Sequence, residues 1–326
     1  MAVVTEEGAA LVVDPARPVF MASGQGSQKP GMGVTLLDVP EVAETFACAS
    51  DVLGRDIAAL ATDDAPEAAA ALNETRNAQA AIATLSIGVG RALQAAGVKP
   101  AALLGFSLGQ VSALALSGMV SLEDAFRIID VRSRLMDEAA AAAPGAMSAL
   151  LKATPEAVEE LCAACAGDDV LVAANFNSPS QIVISGSVSA IDRAEAAWKE
   201  QGGRASRLAT QGAFHSPMMT AAAEPFGEFL ATIQFREPQV PLICNTDAAP
   251  ADAASIRQRL VDHLTHPVLF SQSVERLRAA GAQTFVEVGF GGVLQNLVKR
   301  IDREAERFCL QDKESLEAYL AARAGA

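Results

Sequence analysis

Short apolar runs alternate with longer stretches of helical periodicity through the first third of the chain. The run at 18–22 predicts a strand, and Gly24-Gln25-Gly26-Ser27-Gln28 follows it as a tight, glycine-bearing loop. Apolar positions at helical spacing predict helices over 39–60 and 77–96. The run Ala101-Ala102-Leu103-Leu104 predicts the next strand, and 111–116 the helix after it. Strands alternating with helices in this way imply a largely parallel sheet with helices on its faces.

The rhythm changes near residue 146. The pattern predicts strand 146–152, helix 155–166, strand 170–175, strand 181–186, helix 188–201 and strand 203–209, with Asn177, Ser178, Pro179 and Ser180 turning between the middle strands. The order βαββαβ is the ferredoxin-like arrangement. Residues 144–209 therefore read as a small domain inserted into a larger α/β domain formed by 1–143 and 210–326, with re-entry near Gln211. The cleft between the two is the expected substrate site.

Composition narrows the class. At 326 residues the chain can bury a large core, but only 5% is aromatic, so alanine, valine and leucine must supply the packing. No run of about 18 apolar residues suggests a membrane span, and residues 1–10 lack the basic start and apolar centre of a secretory leader, which predicts a cytoplasmic protein. A net charge of −14 argues against an extended nucleic-acid footprint. The five cysteines, at 48, 162, 165, 244 and 309, suit reduced thiols; Cys162 and Cys165 share a predicted helix and lack the partners of a zinc site.

Chemistry concentrates at few positions. Gly105-Phe106-Ser107-Leu108-Gly109, between a strand and a helix, has the form of a nucleophile elbow, although an ordinary glycine-bearing turn has the same form. A serine nucleophile needs a base. Of the three histidines, His215 precedes Ser216-Pro217 where the chain leaves the inserted unit, whereas His263 and His266 read as polar residues at a helix end. Ser121 with Asp124 starts a helix on which Arg132 shares a face with Ile128, Ile129, Leu135 and Met136, while Arg127, Asp130, Arg134 and Asp137 point elsewhere and can be solvated. A buried guanidinium needs a partner, supplied by an internal carboxylate or by a substrate. Main-chain N–H groups of the 24–28 loop and of Leu108 could form an oxyanion hole, and the loop lacks the spacing of a nucleotide site.

Taken together, GQGSQ at 24–28, GFSLG at 105–109, Arg132 ahead of Met136, GAM at 145–147, AANFNSPSQIVISG at 173–186, GAFHSP at 212–217, Asn245 in ICNTDA and VEVGFGGVL at 286–294 resemble the malonyl-CoA:acyl carrier protein transacylase family, which includes acyltransferase domains of polyketide synthases. The resemblance implies an α/β-hydrolase-like domain carrying the ferredoxin-like insertion. By matching position it implies Ser107 as the acylated nucleophile and His215 as its base, held by the main-chain carbonyl of His263. It further implies the N–H groups of Gln25 and Leu108 as the oxyanion hole, Arg132 as the clamp on the malonyl carboxylate, and Phe214 as a bulky ring disfavouring a branched 2-methyl substrate. Arg204, Lys299 and Arg300 resemble basic residues that flank the family's cleft and dock the carrier protein. Phe106, Gln110 and Phe290 depart from the family's usual histidine, glutamate and proline.

The implied activity is ping-pong transfer of malonyl from malonyl-CoA, through Ser107, to the phosphopantetheine thiol of an acyl carrier protein in fatty-acid or polyketide synthesis, without a metal or other cofactor. A serine esterase or thioesterase shares the elbow but leaves Arg132 unexplained. A non-catalytic carrier-docking subunit leaves Ser107, His215 and Arg132 unexplained together.

Overall fold

A computed structural model describes residues 11–65, 67–210 and 212–324. The stretch 1–10, read above for a leader, and the re-entry point Gln211 lie outside the described residues. In chain order the elements are β1 (Val19–Ala22), α1 (Pro40–Leu53), α2 (Ile57–Thr62), α3 (Ala68–Asn73), α4 (Thr75–Ala95), β2 (Ala102–Gly105), α5 (Gly109–Leu116) and α6 (Leu122–Ala142). Then come β3 (Gly145–Leu151), α7 (Pro155–Ala166), β4 (Leu171–Ser178), β5 (Gln181–Ser187), α8 (Val188–Glu200) and β6 (Arg204–Arg207). The chain finishes with α9 (Thr220–Leu230), β7 (Leu242–Ile243), α10 (Ile256–Asp262), α11 (Phe270–Ala279), β8 (Thr284–Val288), α12 (Val293–Ile301), β9 (Glu306–Leu310) and α13 (Lys313–Ala324).

Five strands form a parallel sheet in the order β7-β2-β1-β8-β9. Alternate side chains of β1 enter opposite cores: Phe20 and Ala22 pack on one face, Val19 and Met21 on the other. Leu103 parts from Ala102 and Leu104 in the same way. Both faces are covered, so these strands read as continuous apolar runs rather than as an alternation.

The second sheet is antiparallel, in the order β4-β5-β3-β6. Leu150, Ile182 and Ile184 face α7 and α8 with Val158, Leu161 and Trp198, while Met147, Ala149 and Val183 turn to the core of the large unit. Edge strand β4 is also tied to the large unit, since Phe176 N–H donates to the Val268 carbonyl at 2.9 Å and Val268 N–H to that of Ala174 at 2.8 Å.

Three local expectations change. The helix read over 39–60 is two helices: Gly54, at φ 65°, ends α1, and the Asp56 side chain caps α2 by accepting the Ala59 N–H at 2.8 Å. The strand read over 170–175 continues through Ser178, so Asn177 and Ser178 belong to β4 and only Pro179 and Ser180 turn. Asp137, read as solvated, is half-buried on α6, and burial raises its carboxyl above the usual range.

Candidate active site

The elbow is built by close backbone approach. A Cβ on Gly105 would lie 2.0 Å from the Gly109 carbonyl carbon, and one on Gly109 would lie 2.1 Å from the Ala22 oxygen, so neither position admits a side chain. Between them Ser107 adopts φ 51°. A left-handed conformation costs a non-glycine residue about 1–2 kcal/mol and persists only where the surroundings fix it. Here the Ser107 N–H donates to Asn245 Oδ1 at 2.8 Å. The turn leaves Ser107 partly exposed ahead of α5.

Ser107 Oγ lies 2.7 Å from His215 Nε2. His215 is itself at φ 57° and is 3% exposed. Its Nδ1 is 2.8 Å from the His263 carbonyl, which can only accept, so Nδ1 carries the proton and Nε2 is left to accept from the serine. His263 is the C-cap of α10, where helix carbonyls lack helical partners; the sequence reading of a polar helix end is therefore also the source of the acceptor. Burial lowers the His215 imidazolium to about 4, Arg132 adds to the shift, and the His263 carbonyl opposes it. The imidazole is thus neutral at pH 7. The His263 ring packs 4.9 Å from that of His215 and is also held well below the usual histidine range by burial.

Arg132 is 3% exposed, and burial lowers its guanidinium to about 10, so it remains charged at neutral pH. One arm donates to Gln79 Oε1 at 2.9 Å and another to Ser107 Oγ at 3.2 Å. Among the described residues no carboxylate pairs with it, and the internal ion pair left open by the sequence is not formed. Arg134, two positions on, pairs at the surface with Glu138 at 2.8 Å.

Gln79 links Arg132 to the first loop, its Nε2 lying 3.3 Å from Gln25 Oε1. A Cβ on Gly24 would lie 2.6 Å from the Phe106 oxygen, which shows how closely that loop packs on the elbow. Ser27 Oγ holds the loop by donating to the Gly24 carbonyl at 3.0 Å. Among the described residues the N–H groups of Gln25 and Leu108 donate to no protein acceptor, so both are free for a ligand oxygen. Phe214 is 5% exposed and belongs to the large core.

A cavity of about 540 Å³ opens beside the elbow, between the Gly24–Ser27 stretch and Phe106 on one side and Ala149, Asn175 and Val183 of the small sheet on the other. A larger cavity of about 760 Å³, lined by Arg17, Pro100 and Ala101, lies at the opposite, amino ends of β1 and β2. Ligands of parallel sheets bind at the carboxyl ends, where Ser107 stands. Asn296 and Arg300 continue the smaller cavity into a groove of about 520 Å³ that also meets Lys299, Arg303 and Arg307. Arg204 is exposed at the start of β6 and does not line this groove.

Sequence reasoning passed over Arg303 and Arg307, and also Gln79, whose only signal is an amide inside the apolar run of α4. It also passed over Glu287, a fully buried carboxyl raised to about 7 by burial; it accepts from Ser23 Oγ at 3.2 Å and the Gln295 N–H at 2.9 Å. Of the unusual residues, Phe106 stacks edge-on to Phe270 at 5.5 Å, and Gln110 accepts the Asn245 N–H at 2.8 Å. The Phe290 carbonyl is 3.5 Å from Ser23 Oγ. Burial pushes the Cys162 thiol up to about 12, within the small domain's core. Among the described residues no group of three metal-ligating side chains is found, and no helix is long and apolar enough to cross a membrane.

The acyl transferase domain family matches residues 19–315, a span that contains the elbow, both catalytic candidates and Arg132. The chain belongs to the malonyl-CoA:acyl carrier protein transacylase family. It is 39% identical over 305 residues to the malonyl CoA-acyl carrier protein transacylase of Salmonella typhimurium, covering 92% of this chain and 98% of that protein. The solved malonyl-CoA:acyl carrier protein transacylase of Xanthomonas oryzae is 40% identical with a TM-score of 0.90, over 95% of this chain and 99% of that one. A malonyl-transacylase solved in complex with a type II polyketide synthase acyl carrier protein is 35% identical with a TM-score of 0.89, over 94% and 99% of the two chains. The family accounts for the large α/β unit with its small antiparallel companion.

Proposed function

We propose that this protein transfers malonyl from malonyl-CoA to the phosphopantetheine thiol of an acyl carrier protein, by a ping-pong route through malonyl-Ser107. The observation that carries the reading is the convergence on one oxygen: Ser107 Oγ lies 2.7 Å from the neutral, accepting Nε2 of His215 and 3.2 Å from a buried Arg132 with no carboxylate of its own.

In the first half-reaction Ser107 gives its proton to His215 Nε2 while Oγ attacks the thioester carbonyl. The resulting oxyanion is received by the N–H groups of Gln25 and Leu108. Collapse breaks the C–S bond, and His215 returns the proton to the departing coenzyme A thiolate. The carrier thiol then repeats the steps in reverse, releasing Ser107. Arg132 turns to the distal carboxylate, which restores the ion pair it lacks in the free protein. Phe214 narrows the acyl pocket. Lys299 and Arg300 at the groove, with Arg204, draw the acidic carrier. The reaction runs on the chain's own groups, with no metal or redox cofactor, in the cytoplasm.

The test is intact-mass measurement after mixing with malonyl-CoA alone. A stable malonyl adduct that is absent from Ser107→Ala is expected. Release of free malonate without an adduct would indicate a hydrolase, and an adduct persisting in Ser107→Ala would place the nucleophile elsewhere.

A further inference from the structure

The proposed nucleophile and base lie 108 residues apart in sequence, and one buried residue, through its side chain and its main chain, joins the segments that hold them. Asn245 follows β7, is 0% exposed, and satisfies all four of its polar groups with protein partners. Its Oδ1 accepts from the Ser107 N–H at 2.8 Å, and its Nδ2 donates to the Gly105 carbonyl at 2.7 Å. Its main-chain N–H donates to Gln110 Oε1 on α5 at 2.8 Å. These three bonds grip the elbow before, at and after the serine.

The fourth bond leads elsewhere. The Asn245 carbonyl accepts the Leu269 N–H at 2.8 Å, on the segment that runs from His263 to α11. His263 supplies the carbonyl that holds His215 Nδ1 at 2.8 Å. The Ser107 N–H lies beyond the β2 ladder and ahead of the α5 ladder, so without Asn245 it is an orphan donor at a strained residue.

We propose that Asn245 is a positioning residue that sets the reach between Ser107 and His215. It acts through the main chain that carries each of them. The inference rests on reading those two residues as nucleophile and base. A displacement of about 1 Å between reacting groups can cost about 10²-fold in rate, so a bond set that fixes the elbow to the histidine's support has a catalytic as well as a structural effect.

The experiment is a double-mutant cycle, read as single-turnover acylation by malonyl-CoA with melting temperature recorded in parallel. Asn245→Ala is expected to slow acylation by about 10²-fold while the KM for malonyl-CoA stays within about twofold. In a His215→Ala background the same substitution is expected to cost less than about threefold, because the pair it aligns is already broken. An equal fold loss in both backgrounds overturns the proposal and leaves Asn245 a support of the fold. Asn245→Asp keeps the size and the acceptor for Ser107 and removes the donor to Gly105; it supplies the same cycle if the alanine variant does not fold. Full activity in His215→Ala would instead remove the serine–histidine reading itself, and Asn245's role with it.

Discussion

Arg132 is 3% exposed beside the serine, whereas Lys299, Arg300 and Arg303 stand in solvent along the groove at the cleft's mouth, with Arg307 half-buried among them. Neither set has a carboxylate partner among the described residues. At the mouth, water and salt satisfy and screen the charges, so each contributes little by itself and the set acts by attraction over about a Debye length. Beside Ser107 the guanidinium itself is buried, and among the described residues its acceptors are two neutral oxygens, Gln79 Oε1 and Ser107 Oγ. An anion entering there completes an ion pair in a medium that screens it weakly. The same absence of partners therefore selects a ligand at the buried site and steers one at the exposed site.

Breaking the buried centre is expected to have the largest effect. His215→Ala should slow acylation by about 10³-fold or more in a single-turnover assay, because an unactivated serine is a poor nucleophile at neutral pH. A comparable loss in a variant lacking only the His263 ring, with His215→Ala nearly active, would reverse the assignment of the base.

Arg132→Ala comes next. Leaving a buried charge unpaired costs about 2–5 kcal/mol, so the preference for malonyl-CoA over acetyl-CoA should collapse by about 30-fold or more in competing kcat/KM measurements. Arg134→Ala, at the surface of the same helix, should leave that preference intact. Equivalent effects of the two would mean that burial does not separate them, and the comparison would fail.

Charge reversal at the rim should act more gently and on one half-reaction. Lys299→Glu with Arg300→Glu should raise the apparent KM for the carrier protein several-fold and flatten its salt dependence, with acylation by malonyl-CoA nearly unchanged. Arg303→Glu, in the same groove, should add to this, and Arg204→Glu, outside the groove, should add less. Equal losses in both half-reactions would show damage to the centre instead.

The smallest expected change is with pH. Burial lowers His215 to about 4, so as pH falls the base is lost only on passing through that value, and kcat/KM for acylation should stay level from pH 8 to about pH 5. An acid limb near the ordinary imidazole value would show a hydrated His215 and erase the distinction between centre and rim.

Much of this was legible in the chain before folding. The apolar runs gave β1 and β2, the βαββαβ rhythm gave the small sheet, and the two glycines around Ser107 marked a turn that tolerates no side chain. These are local signals, written in spacing and in backbone conformational limits. The break of α1 at Gly54 was legible as well, in a glycine followed by the capping residue Asp56, but was hidden by apolar periodicity that continued across it. That Ser107, His215 and Arg132 belong together came from ordered motifs across the whole chain, each of which alone admits an ordinary structural reading.

Only the tertiary structure decided distances and partners. It brought Gln79 and Asn245 to the centre, left Arg132 without an internal carboxylate, and gathered Arg303 and Arg307 beside Lys299 and Arg300. Spacing along a chain fixes which face of a helix or strand a residue shares. It does not fix which residue more than a hundred positions away completes its hydrogen bonds, because that pairing follows from how the sheets and helices pack.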